Sequence, residues 1–254
     1  MATFRITLAY DGGAYVGWQR QASGTSVQGL LEDALRDLDG RDVAVTGAGR
    51  TDAGVHALGQ VASFAIARTI AADALARALN ARLPDSVRVV DAVEAAPAFH
   101  PRFDARSKTY RYRIWNGTAM DPFERAYAWH VSGALDVAAM DAAARRLEGR
   151  HDFAAFQATG SDTKTTVRVI TSSRVVVTEG TTGGRLIAYE ITGDGFLRHM
   201  VRAIAGTLVE IGHGRRPATT IVDVLASRDR GQAGPTAPAC GLFLVSVDYG
   251  RPCG

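Results

Sequence analysis

The stretch Gly47-Ala48-Gly49-Arg50-Thr51-Asp52-Ala53-Gly54-Val55-His56-Ala57 gathers the residues best suited to chemistry, with one carboxylate, Asp52, near its middle. Three glycines within eight residues permit positive φ and a close approach of the backbone to another molecule. Arg50-Thr51-Asp52 puts charge on that bend. A Gly/Asp-rich connector also simply joins two strands, so spacing leaves both readings open. A phosphate loop is excluded: Asp52 stands where the dinucleotide fingerprint requires its third glycine, and no Gly-Lys-Ser/Thr follows.

Two further groups have chemical potential. In the segment after Gly195, Arg198 and Arg202 are spaced i,i+4 on one helical face, and Gly206 one turn on leaves room for something anionic. A solvated helix face has the same pattern. Tyr110 and Tyr112 share one face of a strand flanked by Lys108, Arg111 and Arg113, an interleaving suited to stacking unpaired bases and equally to packing a core. The six histidines show no metal-binding spacing. Cys240 and Cys253 are too few for a disulfide framework, and neither serine nor cysteine sits in a nucleophile motif. Neither a metal nor another cofactor is expected.

The elements that must position these residues are legible from hydrophobic period. Phe4, Ile6, Leu8 and Tyr10 alternate with Arg5, Thr7 and Ala9, a half-buried strand that ends at Asp11-Gly12-Gly13. Thr25 and Gln28 read as a capping box for an amphipathic helix carrying Val27, Leu30, Leu31, Ala34, Leu35 and Leu38. A strand near Val43 and Val45, the glycine turn, a strand over 60–66, a helix over 70–79 and a strand over 87–93 complete a β-α-β-β-α-β order. That arrangement puts both helices on one face of an antiparallel sheet and leaves the other free for a ligand. Strands around 110–115, 127–131, 167–177, 186–191 and 242–249, with helices at 137–147, 196–211 and 219–226, repeat the order in the second half. The expected fold class is therefore α+β, with two similar halves, 1–104 and 105–254, whose mainly antiparallel sheets meet at a central cleft. The first half carries Asp52 and the second Tyr110 and the arginine helix.

With 254 residues, 46% hydrophobic and 22% charged, the composition is that of a soluble globular protein. No run reaches the length of a membrane span, and the first residues lack the apolar region of a signal peptide, so no membrane association is expected and the cytoplasm is the expected location. Of 29 basic residues only Lys108 and Lys164 are lysines. That bias suits phosphate and base stacking, and it also follows from a GC-rich genome.

The glycine turn, from Gly49 through Ala57, closely resembles the signature of the TruA family of tRNA pseudouridine synthases. The resemblance continues through Tyr10-Asp11-Gly12, Tyr15, Gly17-Trp18-Gln19-Arg20-Gln21, Phe99-His100-Pro101-Arg102-Phe103, Lys108-Thr109-Tyr110-Arg111-Tyr112 and His151-Asp152-Phe153. It ends with Gly195-Phe196-Leu197-Arg198-His199-Met200-Val201-Arg202 and Gly241-Leu242-Phe243-Leu244, so it runs nearly end to end. The resemblance implies the pseudouridine synthase fold, an isomerase acting on uridines 38, 39 and 40 of the tRNA anticodon stem-loop, and a homodimer. It implies Asp52 as nucleophile, Arg202 as its basic partner, Tyr110 as the aromatic packed on the target base, and Arg50 as the side chain filling the vacated stack. Alternatives are a non-catalytic RNA-binding or RNA-folding module and a hydrolase using Asp52 as general base.

Overall fold

In the first strand, β1 (Ala2–Tyr10), every second residue from Phe4 to Tyr10 is buried and the residues between are half-buried, as the alternation requires. The computed structural model describes residues 1–158, 160, 163–179 and 183–250; Cys253 lies outside them. The chain divides into two units, the first comprising Met1–Arg106 and the chain from Phe243, the second Ser107–Leu242.

In the first unit β1 is followed by α1 (Val27–Asp39), β2 (Thr46–Gly47), β3 (His56–Ile66), α2 (Ala72–Asn80) and β4 (Val87–Ala95). Strand β1 lies between β3 and β4 and is antiparallel to both, while β2 pairs with the outer part of β3. The last strand, β10 (Leu242–Asp248), returns from the far end of the chain to run parallel to β3, with Phe243 opposite His56 and Leu244 opposite Ala57. Phe4, Ile6, Leu8, Val27, Leu31, Leu35, Leu75 and Leu79 are all fully buried, so the apolar stripes of β1, α1 and α2 form the core. Each such side chain contributes about 1.5–3 kcal/mol of burial.

The cap of α1 differs by one residue from the capping box read at Thr25. Ser26 is the extended N-cap and its Oγ accepts from Gly29 N at 3.1 Å. Gln28 does not close a box; its Nε2 donates to Val45 O at 2.9 Å and its Oε1 accepts from Arg20 N at 3.0 Å. The demand of the neighbouring loop carbonyl and amide outweighs the local motif.

The second unit contains β5 (Ser107–Asn116), β6 (Trp129–Val131), α3 (Val137–Arg145), β7 (Gly149–Asp152), β8 (Val167–Glu179), β9 (Arg185–Gly193), α4 (Met200–Gly212) and α5 (Thr220–Ser227). Its sheet runs β5-β9-β8-β7, antiparallel throughout, with β6 added in parallel to β5. Asp136 caps α3, accepting from Ala139 N at 2.9 Å. The molecule is thus α+β with mainly antiparallel sheets. Among the described residues no helix is long and apolar enough to cross a membrane.

Candidate active site

The Asp52 turn is held from both sides by the residues that follow β1. Trp18 N donates to Thr51 O at 3.0 Å, and Gly17 and Asp52 form an isolated antiparallel bridge. The carbonyls of Gly17 and Trp18 accept from Val27 N and Gln28 N, so the same two residues engage the first turn of α1. Gly17 has φ +112°, and a Cβ there would lie 2.6 Å from Thr51 O. A Cβ on Gly12 would stand 1.9 Å from Val55 O, and one on Gly47 2.6 Å from the Trp18 indole. These three glycines permit backbone to pass directly against backbone or ring.

Within the turn, Val55 N donates to Asp52 O at 3.1 Å across Gly54, whose φ is +76°. Thr51 is buried and its Oγ1 lies 2.8 Å from the Tyr10 hydroxyl; Gln60 Nε2 donates to Gly49 O at 2.8 Å. Asp52 is half-buried and Arg50 exposed. With Thr51 anchored inward and the main chain pinned on each side, the Asp52 carboxylate is carried on a rigid bend. Burial pushes the Tyr10 phenol up to about 12, so it stays protonated beside Thr51.

His56, the first residue of β3, is buried and stacks on Phe243 of β10 with ring centroids 4.7 Å apart. Its Nδ1 lies 3.0 Å from both Gly12 N and Asp11 Oδ1. One ring nitrogen serves one of these at a time, so the tautomer selects between them.

In the second unit Tyr110 is 7% exposed and meets Phe196 edge-on, with centroids 4.9 Å apart. Tyr112, read as a second stacking surface or a core residue, belongs to the core: it is fully buried and donates to Pro238 O at 2.7 Å. Arg111 and Arg113 are engaged in ion pairs, with Glu190 and Glu124, both at 2.6 Å.

The arginine helix differs from its sequence reading in two ways. His199 takes a left-handed φ of +61°, so α4 begins at Met200 and Arg198 lies ahead of it rather than one turn below Arg202 on a continuous face. The room expected beside Gly206 is filled, since a Cβ there would lie 1.8 Å from Pro235 O. Arg202 is half-buried; its Nε donates to Ala237 O at 2.7 Å and its carbonyl accepts from Ala237 N at 3.1 Å. Thr207 Oγ1 accepts from Gly234 N at 2.8 Å, so the segment after α5 is laced onto α4 and orients the guanidinium.

Asp52 and Arg50 thus belong to the first unit, Tyr110 and Arg202 to the second. Tyr10, Thr51 and Gln60 entered the sequence reading only as members of a strand or of the glycine turn, and Ala237 not at all; their bracing of the turn and of Arg202 appears only in the fold. The signal for Tyr10 was present in its inward position on β1, because a buried phenol requires a polar partner. Thr51 lies within the signature and Gln60 within a strand, but nothing in their spacing marks them as braces, and Ala237 belongs to no motif. Among the described residues no three His, Cys, Asp or Glu side chains form a metal-holding group.

The family profile described as tRNA pseudouridine synthase matches residues 6–104 and 143–250. A tRNA pseudouridine synthase A of Myxococcus xanthus is 50% identical over 249 residues, covering 98% of this chain and 92% of that protein. The protein of that name from Pelobacter propionicus is 47% identical and is covered completely, again over 98% of this chain. That from Moorella thermoacetica is 47% identical over 251 residues, with the same coverage. Among solved structures, a chain of a Cbf5-Nop10-Gar1 complex aligns at 11% identity and a TM-score of 0.33. It covers 81% of this chain and 45% of that one, a likeness too remote to carry an argument.

Proposed function

The chain belongs to the tRNA pseudouridine synthase family, and from that membership we propose that it isomerises uridine to pseudouridine in tRNA, at positions 38, 39 and 40 of the anticodon stem-loop. The reaction breaks the bond from N1 of uracil to C1′, turns the base, and joins C5 to C1′. The C5 proton leaves to solvent and N1 gains one, so composition and oxidation state are unchanged.

The observation that best supports this reading is the braced Asp52 turn: a half-buried carboxylate on a bend pinned by Trp18, Tyr10 and Gln60. Asp52 is the proposed nucleophile and Arg202 its proposed basic partner, because a guanidinium favours the ionised carboxylate that attack requires. Tyr110 is the proposed aromatic packed on the target base. Arg50, exposed on the same turn, is proposed to fill the stack the nucleotide leaves. Extruding that nucleotide costs a few kcal/mol, offset by base and phosphate contacts. The same membership supports a homodimer acting in the cytoplasm.

Asp52→Asn should abolish tritium release from C5-labelled uridine in unmodified tRNA while tRNA affinity is retained. Turnover by that variant would sink the nucleophile assignment. Arg202→Lys should reduce turnover at least tenfold, since an ammonium lacks the planar two-pronged geometry of a guanidinium. Carbodiimide mapping of the product would report the modified positions.

A further inference from the structure

The turn after β4 exposes an aromatic ring on a rigid support. Phe103 is 74% exposed, yet the backbone beneath it is closed on itself. His100 N donates to Asp104 Oδ2 at 2.9 Å and Asp104 N to His100 O at 3.0 Å. His100 Nδ1 faces Arg102 N and Phe103 N at 3.1 and 3.3 Å. The His100 ring lies 4.2 Å from the Phe103 ring, and the Arg102 guanidinium 5.7 Å from its centroid. Tyr249 donates to Pro101 O at 2.8 Å, and Arg5 lies over both Phe99 and Tyr249, which secures the base of the turn to β1.

Exposing a phenylalanine to water is unfavourable, and here the hydrogen bonds of His100 and Asp104 fix the turn that carries the exposed ring, which rests on the His100 imidazole. An open ring on a fixed turn, with a guanidinium beside it, matches the chemistry of an unpaired nucleobase and its phosphate: the ring stacks on the base and the cation meets the anion. We propose that Phe103, with Arg102, is a stacking platform for an unpaired base of the tRNA substrate. This rests on the proposed function for the identity of the RNA.

The test measures affinity for fluorescently labelled, unmodified tRNA in the Asp52→Asn background, so that turnover does not enter. Phe103→Ala and Phe103→Leu should each weaken binding about tenfold, and Phe103→Trp should match or exceed the parent. Arg102→Ala should lower the slope of log affinity against log salt by about 0.7–0.9. Melting temperatures should be unchanged, because the ring is solvent-exposed. Parental affinity in Phe103→Leu overturns the platform, since leucine keeps apolar bulk without a π face. So does a Phe103→Ala variant that changes sedimentation but not tRNA affinity, which assigns the ring to a protein contact. Failure of the parent to bind tRNA overturns it as well. An enzyme that binds tRNA but forms no pseudouridine refutes the proposed reaction, while the Phe103 series still decides the platform.

Discussion

Removing the Thr51 hydroxyl is the smallest change expected to loosen the Asp52 turn. Thr51→Val keeps the shape but removes one of the two side chains that hydrogen-bond the buried Tyr10 phenol, the one at 2.8 Å, and leaves Gln60, a loss of about 1 kcal/mol. Turnover should fall with little change in tRNA affinity; an unchanged kcat would show that the hydroxyl pair does not hold Asp52. Tyr10 also gives the protein a sensitivity to alkali. Its pKa is raised by burial to about 12, above the value near 10 of an unfolded chain. Stability from the buried neutral phenol is therefore fully present below pH 10 and lost as pH rises toward 12, on the order of 2–3 kcal/mol in all. Burial shifts Tyr112, Tyr189 and Tyr249 upward too, so Tyr10→Phe should flatten only part of the decline in urea midpoint across that range.

At the scale of elements, α4 shows how a helix is governed by what lies against it. An Ala for Gly exchange inside a helix ordinarily stabilises by roughly 0.5–1 kcal/mol. Gly206→Ala should instead destabilise by about 1–3 kcal/mol, because its Cβ meets Pro235 O at 1.8 Å and must displace the segment that follows. Ala237, whose carbonyl takes the Arg202 guanidinium, belongs to that segment, so turnover should fall along with the urea midpoint. Retained stability would mean that the segment yields without consequence. The strands and helices with strong period, β1, α1, α2 and β5, were legible because alternation and the 3.6-residue stripe report local conformation. Strand β7 was not: Gly-Arg-His-Asp has no alternation, and it is a strand only because Gly149–Asp152 pairs with Ile170–Val167.

For the whole molecule, the arginine-rich composition overstates the cation free for RNA. Arg111 and Arg174 share Glu190, Arg113 meets Glu124, and Arg36 meets Asp42. Salt dependence of tRNA binding is the sharper measure, because it counts the phosphates neutralised. The proposed homodimer predicts a sedimentation-equilibrium mass twice the 26.9 kDa of the chain at micromolar concentration. A single-chain mass at all concentrations would refute it.

The amino-acid order alone determined the α+β character, the family signature around Asp52 and the succession of strands and helices in the first half, except that the strand read at Val43 and Val45 falls instead at Thr46–Gly47, where pairing with β3 places it. All of these are written in neighbouring residues, through period, turn chemistry and motif. Tertiary structure alone decided that Tyr10 meets Thr51, that Phe243 and Leu244 pair beside His56 and Ala57, and that Pro235 closes the space at Gly206. Local patterns state which face of an element is apolar, but not which distant backbone will cover it. That choice is made by packing and by the need of each buried polar group for a partner.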